Sequence, residues 1–191
     1  MPAPARSLTR ARLALLLAAA VVFLRLPALS AQVATTDEVK AAFLFNFAKF
    51  VEWPADASPP GPLIIGVLGN DSIADSLREF VRGKTIGSRT LFIKRMNGSE
   101  DVAGFHLIFV GQAEKNRLPD LMRRVEDAAI LTVSDVDRFC DAGGVIALAL
   151  DRNHVRFDIS LDAAERARLK VSSKLLSLAR TVYPVKTAGD R

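Results

Sequence analysis

Leu63-Ile64-Ile65-Gly66-Val67-Leu68 is an unbroken apolar run between Pro62 and the turn residues Gly69-Asn70-Asp71-Ser72. A strand with one face in water alternates apolar and polar side chains, whereas a short run without alternation is covered on both faces, as central strands of parallel sheets are. The Gly-Asn-Asp-Ser stretch then carries the chain into a helix with Ile73, Leu77, Phe80 and Val81 on one side and Gly83 placed to stop it. A β-α unit of this kind commits the chain to crossover connections between parallel strands.

The pattern continues. Thr90 to Met96 reads as a second strand, Asn97 to Asp101 as a polar loop, and Leu107 to Val110 as a third strand. Gly111 leads into a helical stretch from Glu114 to Asp127, which Pro119 should interrupt. Ile130 to Val133 reads as a fourth strand, and Ser134 with Asp137 as the cap of a short helix that Gly143-Gly144 ends. Val145 to Leu150 is apolar, while Val155, Phe157 and Ile159 alternate with Arg156, Asp158 and Ser160. These two segments, joined through residues 151–154, predict a β-hairpin with one covered strand and one edge strand. Ser160 can cap a helix through Leu169, and Ser172 or Ser173 another carrying Leu175, Leu176, Leu178 and Ala179. The expected fold is α/β, a three-layer α/β/α sandwich whose mostly parallel mixed sheet ends in a C-terminal β-hairpin. One domain over residues 36–183 is expected, followed by a flexible tail, 184–191.

Residues 1–30 read as an export signal. Arg6, Arg10 and Arg12 precede the apolar run Leu13 to Leu24, and Arg25 and Pro27 close it before it reaches the roughly 20 residues of a membrane span. Small residues suit cleavage after Ser30 or Ala34, and no cysteine follows to carry a lipid. The formal charge of +5 is mostly a property of this segment. Without Arg6, Arg10, Arg12 and Arg25 the chain holds 22 basic and 21 acidic residues, a net charge of +1. That leaves no dense basic patch for nucleic acid. In a bacterium the destination is the periplasm, where neither ATP nor NAD is supplied. A composition 50% hydrophobic and 25% charged excludes intrinsic disorder, and the single cysteine, Cys140, excludes an intramolecular disulfide.

Thr35 and Glu38 have capping-box spacing, so a helix should start there and run to Trp53, because Pro54 disfavours helical angles in the residue before it. Val39, Phe43, Phe47, Phe50 and Val51 are its core candidates. Asn46, Lys49 and Trp53 share one stripe at helical spacing. Five of the chain's thirteen aromatic residues fall between Phe43 and Trp53. Aromatics at this spacing pack cores, yet Trp and Phe also anchor interfaces, and Trp53 borders the Pro/Gly/Ala-rich loop Pro54 to Pro62. Asn46, Lys49, Phe50 and Trp53 are therefore the candidates for a partner or dimer interface.

Chemistry is sparse. The histidines, His106 at a strand start and His154 in the hairpin turn, have no spacing that joins them to Cys140 as nucleophile and base, and no HxxxH or HExxH is present for a metal. Cys140 reads as a small buried hydrophobe. Gly66-Val67-Leu68-Gly69-Asn70-Asp71 lacks the third glycine of a dinucleotide fingerprint and the lysine of a P-loop. Asp135 and Asp137 read as helix N-terminal charges. No catalytic, cofactor-binding or metal-ligating residue is assigned. A small ligand, if one binds, belongs in the crevice at the carboxyl ends of the strands, near Asn70, Gly111 and Ser134.

The stretch Val39-Lys40-Ala41-Ala42-Phe43-Leu44-Phe45-Asn46-Phe47-Ala48-Lys49-Phe50-Val51-Glu52-Trp53-Pro54 resembles the opening motif of the YfiR family of periplasmic proteins. Ile65 to Gly69, Leu131 to Asp135 with Gly143-Gly144, and Val171 to Ala179 are similar to the same family in the same order, over residues 36 to 182. The resemblance implies a non-catalytic, typically dimeric α/β protein without a cofactor. It implies binding to the periplasmic domain of an inner-membrane diguanylate cyclase, which the protein represses, lowering cyclic di-GMP and biofilm formation. It also implies an outer-membrane lipoprotein that can sequester the repressor. Members with paired cysteines use disulfides, and the lone Cys140 rules out redox control by an intramolecular disulfide here. The competing expectation is a periplasmic small-ligand-binding module that feeds another membrane receptor, such as a sensor kinase, or a transport system.

Overall fold

A computed structural model describes residues 34–57, 60–126, 128–152 and 154–185. The export signal and residues 186–191 of the expected tail lie outside the described residues. Helix α1, Thr36–Phe50, begins with the anticipated box: Thr35 Oγ1 accepts from the Glu38 amide at 3.2 Å, and Glu38 Oε2 accepts from the Thr35 amide at 2.8 Å. It stops three residues before Trp53. Val51–Glu52 (β1) is extended and pairs antiparallel with Lys170–Val171 (β9), while the Ser172 amide donates to the Phe50 carbonyl at 3.0 Å. The long-range ribbon satisfies backbone groups that a continued helix would use, and it suits β-branched Val51. Proline restrains only its immediate neighbour, so it could not set the earlier end.

The main elements follow as β2 Leu63–Leu68, α2 Asp71–Phe80, β3 Thr85–Ile86, β4 Arg89–Met96, β5 Leu107–Val110, α3 Leu118–Val125 and β6 Leu131–Ser134. They continue as β7 Ile146–Asp151, β8 His154–Ser160, α4 Leu161–Arg166, α5 Ser173–Leu176 and β10 Thr181–Tyr183. The eight-stranded sheet has the order β10-β8-β7-β6-β5-β2-β4-β3. Strands β4, β2, β5, β6 and β7 are mutually parallel; β8 runs antiparallel to β7, and β10 lies parallel to β8 on its far side. The expected hairpin is present, but β8 is not the edge strand, because β10 covers it.

Alternation along the strands divides the core. Ile65, Val67, Leu107, Phe109, Leu131, Val133, Ile146, Phe157 and Ile159 face a layer containing α1, α2, α4 and α5. Leu68, Ile108, Val110 and Ala147 face the other side, where Leu118, Leu121 and Val125 of α3 pack. Crossovers of one hand that step in opposite directions across a sheet must lie on opposite faces, and α2 and α3 do. On α1 the fully buried stripe is Ala41, Leu44, Phe47 and Ala48. Val39, Phe43 and Phe50 are only partly buried. Phe47 meets Phe157 edge to face at 5.1 Å between centroids, and Phe43 meets it at 5.7 Å.

Three helix expectations need correction, the simplest being that α5 ends at Leu176, short of Leu178 and Ala179. After β6 the chain forms turns rather than a short helix, because Arg138 takes a left-handed conformation (φ 59°) that a helix does not admit. Ser134 Oγ donates to the Val110 carbonyl at 2.7 Å and accepts from the Val136 amide at 3.0 Å, closing a local turn. Helix α4 is capped by Ser160 but ends at Arg166, short of Leu169, with Arg168 at φ 55°. The interruption at Pro119 takes the form of a 3-10 segment, Gln112–Arg117, leading into α3, whose first turn holds the proline. Among the described residues no helix is long and apolar enough to cross a membrane.

Candidate interaction surface and ligand crevice

The four residues assigned to an interface separate into two groups. Asn46, Lys49 and Phe50 lie on the last turns of α1. Asn46 is exposed and its Nδ2 donates to the Ala42 carbonyl at 2.9 Å. It borders a groove of about 460 Å³ between α1 and α2, lined by Val39, Ala42, Phe43 and Phe80. Phe50 is half-buried, with the Lys49 ammonium 5.6 Å and the Lys174 ammonium 5.2 Å from its ring centroid. Lys174 belongs to α5, so this surface is built from both ends of the chain. Leu178, beyond α5, is exposed. The tip of α1 thus presents two cations on an aromatic plate, suited to an acidic or polar partner rim.

Trp53 is elsewhere. Once the helix stops at Phe50, the extended residues carry Trp53 off the stripe toward the amino ends of the parallel strands. Its Nε1–H donates to the His106 carbonyl at 3.0 Å, and its ring meets the imidazole edge-on at 5.9 Å. His106 is buried; Nδ1 accepts from the Ile64 amide at 3.1 Å and Nε2 stands 2.9 Å from Arg89 Nη2. Burial, and then the nearby Arg89 charge, hold its pKa below the usual histidine range. His154, in the distant hairpin, contacts the Arg152 carbonyl instead.

The crevice residues are brought together at the carboxyl ends of β2, β5 and β6. Gly111 lies against the Gly69 carbonyl and Asn70, and its amide donates to the Leu68 carbonyl at 2.8 Å. Asn70 Oδ1 caps α2 by accepting from the Ile73 amide at 3.0 Å. Ser134 is fully buried and spans Val110 and Val136. All three side chains or backbones serve the turn packing. Beside them Asp135, read as a helix N-terminal charge, instead pairs with Lys40 of α1 at 2.5 Å, and its other oxygen, Oδ1, is buried without a hydrogen bond.

A larger cleft of about 520 Å³ lies between α3, the 140–145 turn and α4, with Arg123, Cys140, Asp162, Arg166 and Tyr183 on its walls. Cys140 points toward the Val145 and Asp158 carbonyls at 3.9 and 3.8 Å, and burial pushes its thiol up to about 12. A thiol so protonated is no nucleophile at neutral pH. Behind it the buried Asp158 carboxylate is held by Arg180 (Nε to Oδ1 2.9 Å), which keeps its pKa below the ordinary carboxylate value. Sequence reasoning missed this pair and the Arg89–His106 contact. Asp158 shares the polar face of β8 with Arg156 and Ser160, so the alternation itself gave no signal that its carboxylate is buried and paired.

The fold resembles that of a conserved domain protein from Vibrio cholerae O1 biovar El Tor N16961, with a TM-score of 0.52 at 12% identity, over 78% of this chain. This chain spans 60% of the length of that one, and the likeness is one of fold. At the level of sequence, residues 37–180 match the DUF4154 (YfiR/HmsC-like) family, from the start of α1 to Arg180 beside β10. The chain belongs to the YfiR/HmsC-like family.

Proposed function

We propose that this protein is a non-enzymatic periplasmic regulator that binds the periplasmic sensor domain of an inner-membrane diguanylate cyclase and holds it inactive, lowering cyclic di-GMP and biofilm formation. The observation that carries the reading is the family match over residues 37–180. The physical mechanism is a population shift: the regulator binds the inactive conformation of the cyclase more tightly than the active one, and only that difference in affinity represses. The contact surface is the tip of α1 with α5, where Asn46, Lys49, Phe50 and Lys174 are grouped. A homodimer and release by an outer-membrane lipoprotein belong to the same proposal.

The test is cellular cyclic di-GMP in the source bacterium with and without the gene, complemented by the full chain or by a version lacking residues 2–30. A rise on deletion, reversed only by the exported form, is expected. Unchanged cyclic di-GMP in the deletion strain overturns the reading. Lys49→Glu with Lys174→Glu should then lose repression while the protein's urea midpoint stays within the range of surface substitutions.

A further inference from the structure

Helix α1 turns Ala41, Leu44, Phe47 and Ala48 toward the sheet, and all four are buried. At about 100° per residue the opposite pole of the helix falls on Glu38, Val39, Ala42, Asn46 and Lys49. Their spacings of three and four residues are those of a seam between two nearly parallel or antiparallel helix axes. The middle of the seam is apolar: Val39 and Ala42 open onto the groove shared with Phe43 and Phe80, and each of these four residues is only partly buried. The chain's own packing therefore leaves a continuous apolar strip on the outer side of α1, with small Ala42 at its centre to admit a second helix closely.

Charge decides what the strip accepts. Glu38 and Lys49 are exposed at its two ends, about three helical turns apart. One Glu38 oxygen accepts from the Thr35 amide at 2.8 Å, and the Lys49 ammonium stands 5.6 Å from the Phe50 ring centroid. Among the described residues neither takes part in an ion pair. The outward stripe is thus polarised, an acid at one end and a base at the other. Two such stripes complement each other only when antiparallel. A twofold axis at mid-stripe sets Glu38 of each copy against Lys49 of the other, and Ala42 of each against Asn46 of the other. A parallel pairing sets like charge on like at both ends.

We propose that the outward stripe of α1 is the homodimer face: α1 packs antiparallel on α1 of a second copy, with a Glu38–Lys49 pair at each end and Val39, Ala42 and Phe43 between them. The inference rests on the homodimer named in the regulatory reading and supplies its surface. The test is sedimentation equilibrium of the purified exported protein, with cyclic di-GMP measured separately. A reversible dimer with a dissociation constant of about 1 to 100 µM is expected, because one helix face buries less than the roughly 1,200 Å² of a standard interface. Glu38→Lys and Lys49→Glu should each weaken association at least tenfold, since each sets like charges together at both ends. Mixed in equal amounts, the two variants should recover wild-type association, because their heterodimer restores both opposite pairs. If Glu38→Lys does not fold for want of its capping carboxylate, Glu38→Gln, which keeps the cap, should weaken the dimer at least threefold. A dimer that these substitutions leave intact, or a mixture no tighter than its components, overturns this face and leaves the homodimer standing. A monomer at every concentration overturns the face and the homodimer together, while repression of the cyclase is decided by cyclic di-GMP alone.

Discussion

Trp53 and His106, fifty-three positions apart, are joined by a hydrogen bond of 3.0 Å from the indole N–H to the main-chain carbonyl. The bond fixes the segment after α1 to the amino end of β5, and the ring edge covers the imidazole. Trp53→Phe keeps an aromatic body and removes one hydrogen bond, so the expected loss is about 1 kcal/mol. Trp53→Ala removes the packing as well, and about 3 kcal/mol is expected, at the low end of large aromatic truncations because Trp53 is only partly buried. Urea unfolding of both variants measures the difference. Repression in cells carrying Trp53→Phe should remain, since the residue faces away from the α1 surface.

Cys140 yields a chemical prediction. Its folded pKa of about 12 lies above the ordinary thiol value, so between about pH 9 and pH 12 the folded state keeps a proton that the unfolded chain has released. Stability should therefore fall as pH rises through that window, and Cys140→Ala should lose that part of the pH dependence. At pH 8 alkylation by iodoacetamide should be at least tenfold slower in the folded protein than in 6 M urea. Equal rates would sink the assignment of Cys140 as an inert packing residue.

What could be read from the sequence follows the range of the interactions involved. Leu63–Leu68, Leu107–Val110 and the caps at Thr35, Ser160 and Ser172 depend on residues within a few positions of one another, and the structure has them. The end of α1 at Phe50 depends on β9, more than a hundred residues away, which no local pattern contains. The same holds for β10, which turns β8 from an edge into an interior strand. The missing helix after Ser134 differs in kind, because its capping residues are present and the backbone leaves helical space at Arg138. On the candidate surface the spacing placed Asn46 and Lys49 together, while the grouping of Trp53 with them presumed a helix that tertiary pairing ends early.

Arg180 closes the sheet at β10 by holding Asp158, whose residue is 5% exposed. Arg180→Met leaves a carboxylate facing the protein interior without its cation, which costs several kcal/mol when both partners are buried. Arg180 itself is nearly half exposed, so about 2 kcal/mol is expected at pH 7. The folded pKa of Asp158 is depressed, first by the Arg180 hydrogen bond, so this contribution is present above about pH 4 and lost as pH falls through the folded value. Wild type and Arg180→Met should accordingly converge in stability at acid pH. A difference that stays constant from pH 7 to pH 3 would assign the loss to side-chain packing rather than to the ion pair.

Gly111 and Gly83 separate two reasons for a glycine. Gly111 has ordinary backbone angles (φ −75°), but a Cβ there would lie 2.8 Å from the Gly69 carbonyl oxygen and 3.2 Å from Asn70 Cβ. Those are backbone and short side-chain atoms that cannot swing aside, so the β2 and β5 ends must part. Gly83 has φ +71° and nothing within 4 Å of a Cβ, so its substitution meets conformational strain alone. Gly83→Ala should cost about 1 kcal/mol, the left-handed penalty of one L-residue. Gly111→Ala should cost more, about 2 to 3 kcal/mol, the range of overpacking in a close-packed region. Paired urea titrations at one temperature decide the order, and a smaller loss at Gly111 than at Gly83 would mean that the carboxyl end of the sheet has room to open, as a ligand crevice there would require.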